Sequence, residues 1–334
     1  MTPSIEVSGL TRRYREHVAL DDVHLTVGAG TITGLLGRNG AGKTTLLRII
    51  AGHEFPSAGS VRVLGASPVA DEEVLRRPGG RSGQVGRGRT GGRSGQVGRG
   101  RTVFVREDQA YPDFKVRHAL RAASWCYPDW DASLASTLLD DFALPLDRAV
   151  KKLSRGMRSA LGITIGLAAQ AEITLFDEPY AGLDAVARQV FYDRLLADYA
   201  ANPRTIVLST HLIDEAAALF ENIVVIDRGR VVLEATADGL RGMATTVSGP
   251  VLAVDSFTSG RAVWHKRRLG SQASVVMVGP LTQGDRENAR SMGLDLTPLT
   301  LQQLVVHAAG WPDGSGGEPL AAPVGASLTE RTSA

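Results

Sequence analysis

Hydrophobic and polar positions divide the chain into short strands and longer helical stretches. Residues 5–7 and 23–27 alternate apolar and polar, the period of a strand with one wet face. Residues 31–36, 173–176, 205–209 and 223–226 are apolar almost throughout. Strands of that kind, separated by helices, predict an α/β fold with a mainly parallel sheet covered on both faces. The strand at 31–36 runs into a glycine-rich turn and a helical stretch at 43–51, closed by Gly52. Residues 104–170 are richer in helix formers. From about residue 241 the pattern weakens to short strands at 251–254 and 274–278 and helices at 284–292 and 300–309. The tail from 311 is rich in Gly, Pro, Ser and Ala and reads as disordered.

One stretch breaks the pattern. Residues 79–90 read GGRSGQVGRGRT, and 91–102 repeat it without a change. One valine per copy cannot offset the entropy of ordering, so the pair reads as a flexible basic surface loop. An RNA-binding Gly/Arg segment is the weaker alternative. The duplication also distorts the composition. The 334 residues carry a formal net charge of +2, but each copy holds three Arg and no acid. Without the pair, 31 basic residues face 35 acidic ones, and no polyanion partner is implied. Cys126 is the single cysteine, which excludes an internal disulfide and suits a reducing compartment. The first residues lack the basic and apolar regions of a signal peptide, and no apolar run reaches 18 residues. The chain is therefore expected not to span a membrane, though it could dock onto a protein that does.

Residues 37–44, Gly-Arg-Asn-Gly-Ala-Gly-Lys-Thr, fit the phosphate-loop pattern G-x-x-x-x-G-K-[ST] between a buried strand and a helix. Glycines let successive N–H groups face one point, and the helix dipole aims there too. Lys43 would reach the β- and γ-phosphates, and the Thr44 hydroxyl would bind Mg²⁺. A second apolar strand ends in Asp177-Glu178, at the edge where a parallel sheet meets its ligands. Asp177 is placed to hold Mg²⁺ and Glu178 to polarise the attacking water. His211 follows the strand at 205–209 and would point into the same crevice. Ser154, in Leu153-Ser154-Arg155-Gly156-Met157, reads either as a helix N-cap or, with the Gly156 N–H, as an anion site.

Together these motifs resemble the ATP-binding subunit of an ATP-binding-cassette (ABC) transporter over roughly residues 4–240. The resemblance implies a P-loop NTPase cassette: a mainly parallel core sheet, an antiparallel β subdomain and a helical subdomain. It implies a cassette at 1–240, with the helical subdomain at about 107–170 and the repeat at 79–102 inserted. A small α+β extension would follow at 241–310, then the tail at 311–334. Gly37, Arg38, Asn39, Gly40, Ala41, Gly42, Lys43, Thr44 and the adjacent Thr45 match the Walker A loop that binds ATP. Tyr14 matches the aromatic that stacks on adenine. Asp177 and Glu178 match Walker B and the catalytic glutamate, His211 the switch histidine, and Asp184 the D-loop. Residues 153–157 resemble the LSGGQ signature, which in this family acts on ATP held by a second cassette. A homo- or heterodimer is thus implied. So is a membrane permease partner, with the chain peripheral on the cytoplasmic face of the cell membrane. The aromatics from Tyr111 to Trp130 fall where the permease would dock, and read equally as core.

Departures from the pattern are informative. The signature reads LSRGM, keeping Ser154 and Gly156, and a terminal Met resembles ABC-2-type exporter subunits. Arg106 stands where the Mg²⁺-binding Gln of the family falls. Gln109 is preferred because Arg cannot accept a metal. The alternative, a soluble ABC ATPase on nucleic acid or the ribosome, fits less well, because the chain holds one phosphate loop and one signature. No nucleic-acid partner is expected. A cassette that binds without hydrolysing is disfavoured by the presence of Lys43, Asp177, Glu178 and His211.

Overall fold

Alternating apolar residues make the first two strands one-sided. β1 (Pro3–Tyr14) and β2 (His17–Gly28) form an antiparallel hairpin whose inward set includes Ile5, Leu10, Leu20 and Val23. The computed structural model describes residues 3–68, 101–106, 109, 111, 113–240 and 243–308. Most of the 79–102 duplication and the whole tail from 311 lie outside the described residues. Two compact units are present, Met1–His211 with Arg228–Val231, and Leu212–Asp227 with Val232–Ala334. Among the described residues, no helix is long and apolar enough to cross a membrane.

The first unit holds two sheets. β3 (Ile32–Leu36) leads into α1 (Lys43–Ile50), and β4 (Ala58–Val63) pairs with β1 in an antiparallel sheet of order β2-β1-β4. β5 (Thr102–Arg106) begins inside the second copy of the repeat. Thr102 is its first residue, and the Arg101 guanidinium is bidentate to Glu172 at 2.5 and 2.6 Å. The flexible-loop expectation therefore fails for these two residues: Thr102 pairs with Ile173 at the head of a strand whose Val103, Phe104 and Val105 are buried, and Arg101 beside it is held by Glu172, both staying partly exposed.

α2 (Val116–Cys126), α3 (Ala132–Asp141) and α4 (Arg155–Ala168) follow, then β6 (Ile173–Asp177), α5 (Ala185–Ala201) and β7 (Thr205–Thr210). Strands β5, β6, β7 and β3 lie side by side, all parallel, with Arg106 beside Asp177, Asp177 beside Ser209 and Leu36 beside Thr210. Every residue of β3, β6 and β7 is buried, as expected for strands covered on both faces. α4 sits on β5 and β6 through two glycines one turn apart. A Cβ on Gly166 would lie 2.7 Å from Phe176 and Val105 side-chain atoms, and one on Gly162 would lie 3.0 Å from Val105. α4 also closes a helical core of Val116, Leu120, Leu144, Leu161 and Ile165, against which Tyr111, Tyr127 and Trp130 pack. Trp125 stays 75% exposed, with the Arg121 guanidinium 5.2 Å from its ring.

In the second unit, α6 (Ile213–Ala216), β8 (Asn222–Asp227), β9 (Arg230–Thr236, which begins in the first unit) and α7 (Ala237–Leu240) precede a β-α-β-β-α-β arrangement. Its elements are β10 (Ala244–Pro250), α8 (Val251–Thr258), β11 (Val263–Leu269), β12 (Gln272–Val278), α9 (Gln283–Ser291) and β13 (Asp295–Pro298). The sheet order is β11-β12-β10-β13, antiparallel throughout, the split β-α-β topology. The strand expected at 251–254 is instead the first turn of α8. Val254 and Phe257 are buried three residues apart, a helical spacing that overrides the short apolar run. α10 (Leu301–Ala308) starts from a reciprocal Thr300–Gln303 cap, and Asp214 Oδ1 accepts from the Gln302 N–H at 3.0 Å.

Candidate active site

The phosphate loop follows β3 and ends as the first turn of α1. Gly42 is the N-cap at φ 111°, and a Cβ there would lie 2.6 Å from the Ala19 carbonyl oxygen, so no larger residue fits. Gly42 offers no side-chain cap, and the first-turn N–H groups of α1 have no acceptor within the helix. That is the donor set an anion requires. Gly40, at φ 80°, has nothing within 4 Å of where a Cβ would stand, which leaves the cradle open. Lys43 is 5% exposed. Its Nζ donates to the carbonyls of Gly37 at 2.8 Å and Arg38 at 3.2 Å, and lies 3.3 Å from Glu178 Oε1.

β6 delivers Asp177 and Glu178 to the same place. The Ser209 hydroxyl, one strand over, donates to Asp177 Oδ1 at 2.7 Å. Burial pushes the Asp177 carboxyl above its usual range, opposed by hydrogen bonds from Ser209 and Thr44. Glu178 takes a left-handed backbone at φ 46°, uncommon for a residue with a side chain. Its N–H donates to Ser209 Oγ at 3.1 Å, which fixes the turn. Its carboxylate thereby spans two partners, Lys43 on Oε1 and His211 Nδ1 at 2.8 Å on Oε2. His211 is braced by the Tyr180 ring at 6.2 Å, and the Tyr180 hydroxyl bonds the Thr210 hydroxyl.

A cavity of about 410 Å³ opens over Lys43, Asp177 and Glu178, lined among others by Tyr14, His17, Asn39 and Thr45; His211 touches Glu178 but is not in the cavity wall. Gly40, Gly42, Lys43 and Thr44 complete the loop's share of the wall, while Ala41 is buried behind it. Gln109 is not in that wall. Its side-chain carbonyl accepts from the Arg106 N–H at 3.5 Å, folded onto the end of β5. Sequence reasoning missed Ser209 and His17. Ser209 left one signal, a hydroxyl in an apolar strand in register with Asp177.

The family model described as "ABC transporter" matches residues 20–181. The chain is 33% identical over 247 residues to the daunorubicin/doxorubicin resistance ATP-binding protein DrrA of Streptomyces peucetius, covering 72% of this chain and 67% of that protein. It is 34% identical over 239 residues to the Nod factor export ATP-binding protein I of Cupriavidus metallidurans, covering 70% and 71%. The chain belongs to the ABC transporter ATP-binding proteins. Members of this family are ATPases coupled to transport, and the chain is such an ATPase subunit, working with a membrane partner. A solved structure of an ATP-binding subunit of an ABC transporter matches with TM-score 0.58 at 24% identity, covering 72% of this chain and 92% of that one. A bacterial Atm1-family ABC exporter with ATP bound matches with TM-score 0.54 at 20% identity, covering 71% and 40%. At these identities both speak to the fold alone.

The signature and the D-loop also lie outside the cavity wall. Ser154 is the N-cap of α4, its Oγ accepting from the Met157 N–H at 3.1 Å, with Leu153 buried behind it and Arg155 exposed. Gly156 touches the backbone of Gly182, where a Cβ would meet the carbonyl oxygen at 2.4 Å. Asp184 caps α5 through the Ala187 N–H at 2.8 Å.

Proposed function

We propose that this subunit binds Mg²⁺ and ATP in the described cavity, hydrolyses ATP within a dimer of cassettes, and drives an export permease from the cytoplasmic face of the cell membrane. The observation that carries the hydrolysis reading is the Lys43–Glu178–His211 arrangement. A buried lysine ammonium meets one oxygen of a carboxylate beside the phosphate cradle, and an exposed imidazole meets the other. In the resting geometry Lys43 satisfies loop carbonyls; phosphate oxygens are stronger acceptors for the same Nζ. Glu178 is positioned to accept the proton of an attacking water. His211 holds the Glu178 carboxylate and offers a further polar contact at the γ-phosphate. Tyr14 supplies the aromatic face for adenine, and Gly37 to Thr45 the phosphate donors. Thr44 and Asp177 present adjacent hard oxygens that fit Mg²⁺ and would hold it, with Gln109 as a further candidate ligand. The ion supplies neutralisation of phosphate charge when bound.

Export is the reading because the relatives are named for drug resistance and for Nod factor export. The exposed signature residues Ser154 and Arg155, with Gly156 and Met157 beside them, would act on ATP held by the second cassette, and Asp184 would lie at the dimer contact. The functional cassette would end near residue 240, with residues 241–310 as its extension.

Glu178→Gln is expected to keep ATP binding and to lower turnover by at least ~100-fold, the scale of losing a general base. Near-normal hydrolysis by that variant would remove Glu178 from the role. Co-purification from membranes, followed by identification of the bound permease and any second cassette, tests the assembly.

A further inference from the structure

Tyr14 stands beside the turn of the β1–β2 hairpin, paired with His17 and 38% exposed, yet it is held from two sides. Its hydroxyl donates to Glu54 Oε1. Arg12 Nε donates to the same oxygen at 2.9 Å. The Arg12 guanidinium also lies over the Tyr14 ring, 4.5 Å from the centroid, and so covers one ring face. Arg12 and Glu54 are only 24% and 13% exposed, unlike the solvated surface pairs that contribute little. Glu54 comes from a different part of the fold, 40 residues along the chain from Tyr14. It follows the end of α1, where the Gly52 N–H donates to the Ile49 carbonyl and the His53 N–H to that of Arg48. The amino end of that helix is the phosphate cradle.

We infer that Arg12 and Glu54 are positioning residues for the nucleotide base. They lock the plane of Tyr14 and tie it to α1, so that base platform and phosphate cradle keep one spacing. The inference rests on the reading of Tyr14 as the surface on which adenine stacks. A tyrosine at a hairpin end otherwise turns about its side-chain bonds, and a base that stacks on it must first stop that motion. Preorganising the ring removes that entropy cost from binding. The closed triangle of ring, cation and carboxylate does this without touching the base. Arg12 occupies one face of the ring, so stacking is confined to the other.

The test compares two ligands on the full chain by calorimetry: ATP, which has a base, and inorganic triphosphate, which has none. Glu54→Ala is expected to weaken ATP by about 3- to 10-fold, the range for freeing one side chain before binding. Triphosphate affinity should stay within about twofold, since the phosphate contacts are unaltered. Glu54→Gln keeps an acceptor oxygen and should restore most of the ATP affinity. Unchanged ATP affinity in Glu54→Ala overturns the inference, as does equal weakening of both ligands, which would make Glu54 a support for α1 only. If Glu54→Ala does not melt cooperatively, Arg12→Ala takes its place, and the same two results overturn the inference. Tyr14→Ala separates the two layers. If it leaves ATP affinity intact, the platform reading itself falls. If it weakens ATP while Glu54→Ala and Arg12→Ala do not, only the positioning role falls.

Discussion

Asp177 is held in a costly state. Its carboxylate is buried, and the Ser209 and Thr44 hydroxyls, with the Lys43 charge nearby, compensate only in part. A carboxyl raised above its ordinary value near 3.8 binds protons more readily folded than unfolded. Its contribution to stability is therefore fully present below that value and is lost as pH rises through the raised one. Asp177→Asn is expected to give a ligand-free protein with a melting temperature at neutral pH equal to or above that of the parent. Its profile should be flatter between about pH 4 and neutrality, checked by thermal melts across pH. The same variant should lose the extra stability that ATP confers in the presence of Mg²⁺. Asp177, Glu178, Lys43 and Thr44 were legible in the sequence because each sits at a fixed offset from a strand end or a glycine. Ser209 was not, because a hydroxyl within an apolar strand looks like packing until the register beside Asp177 is known. Arg12 and Glu54 left no local signal at all; their meeting depends on how α1 folds back against the β1–β2 hairpin.

At the scale of elements, the two glycines of α4 set how close that helix comes to the sheet. Gly166→Ala would drive a methyl to 2.7 Å from Phe176 and Val105, both in the packed interior. We expect a loss of roughly 1–3 kcal/mol, the cost of overpacking, read by urea denaturation, and a disturbed α4 amino end. The buried strands and α1 were plain in the hydrophobic pattern because length and periodicity agreed. The start of α8 looks like a strand because four residues span only about one helical turn and show no repeat, and the deciding contact, Phe257 three residues past Val254, lies beyond them. The start of β5 was hidden by composition. Arg101 and Thr102 belong to the duplicated loop by sequence, and only the apolar run behind them shows that Thr102 opens a strand.

For the whole molecule, the charge balance and the assembly are linked. The duplicated copies make the chain formally basic, while the residues outside them are mildly acidic. If two cassettes close over two nucleotides, Glu178→Gln with ATP and Mg²⁺ should run at twice the mass of the ligand-free variant in light scattering. Addition of Ser154→Arg, which places bulk and charge at the exposed signature, should return it to the monomer mass. A single mass under all conditions would remove the dimer from the proposal. The contact of Gly156 with Gly182 has a mechanical consequence within the chain itself. With no side chain between the two backbones, the start of α4 has no soft layer over which to slide. A push on the signature is therefore transmitted to the segment four residues after Glu178 with almost no play, as through a gear without backlash. Neither glycine can be enlarged without moving the other, so the pair has to be altered together or left alone.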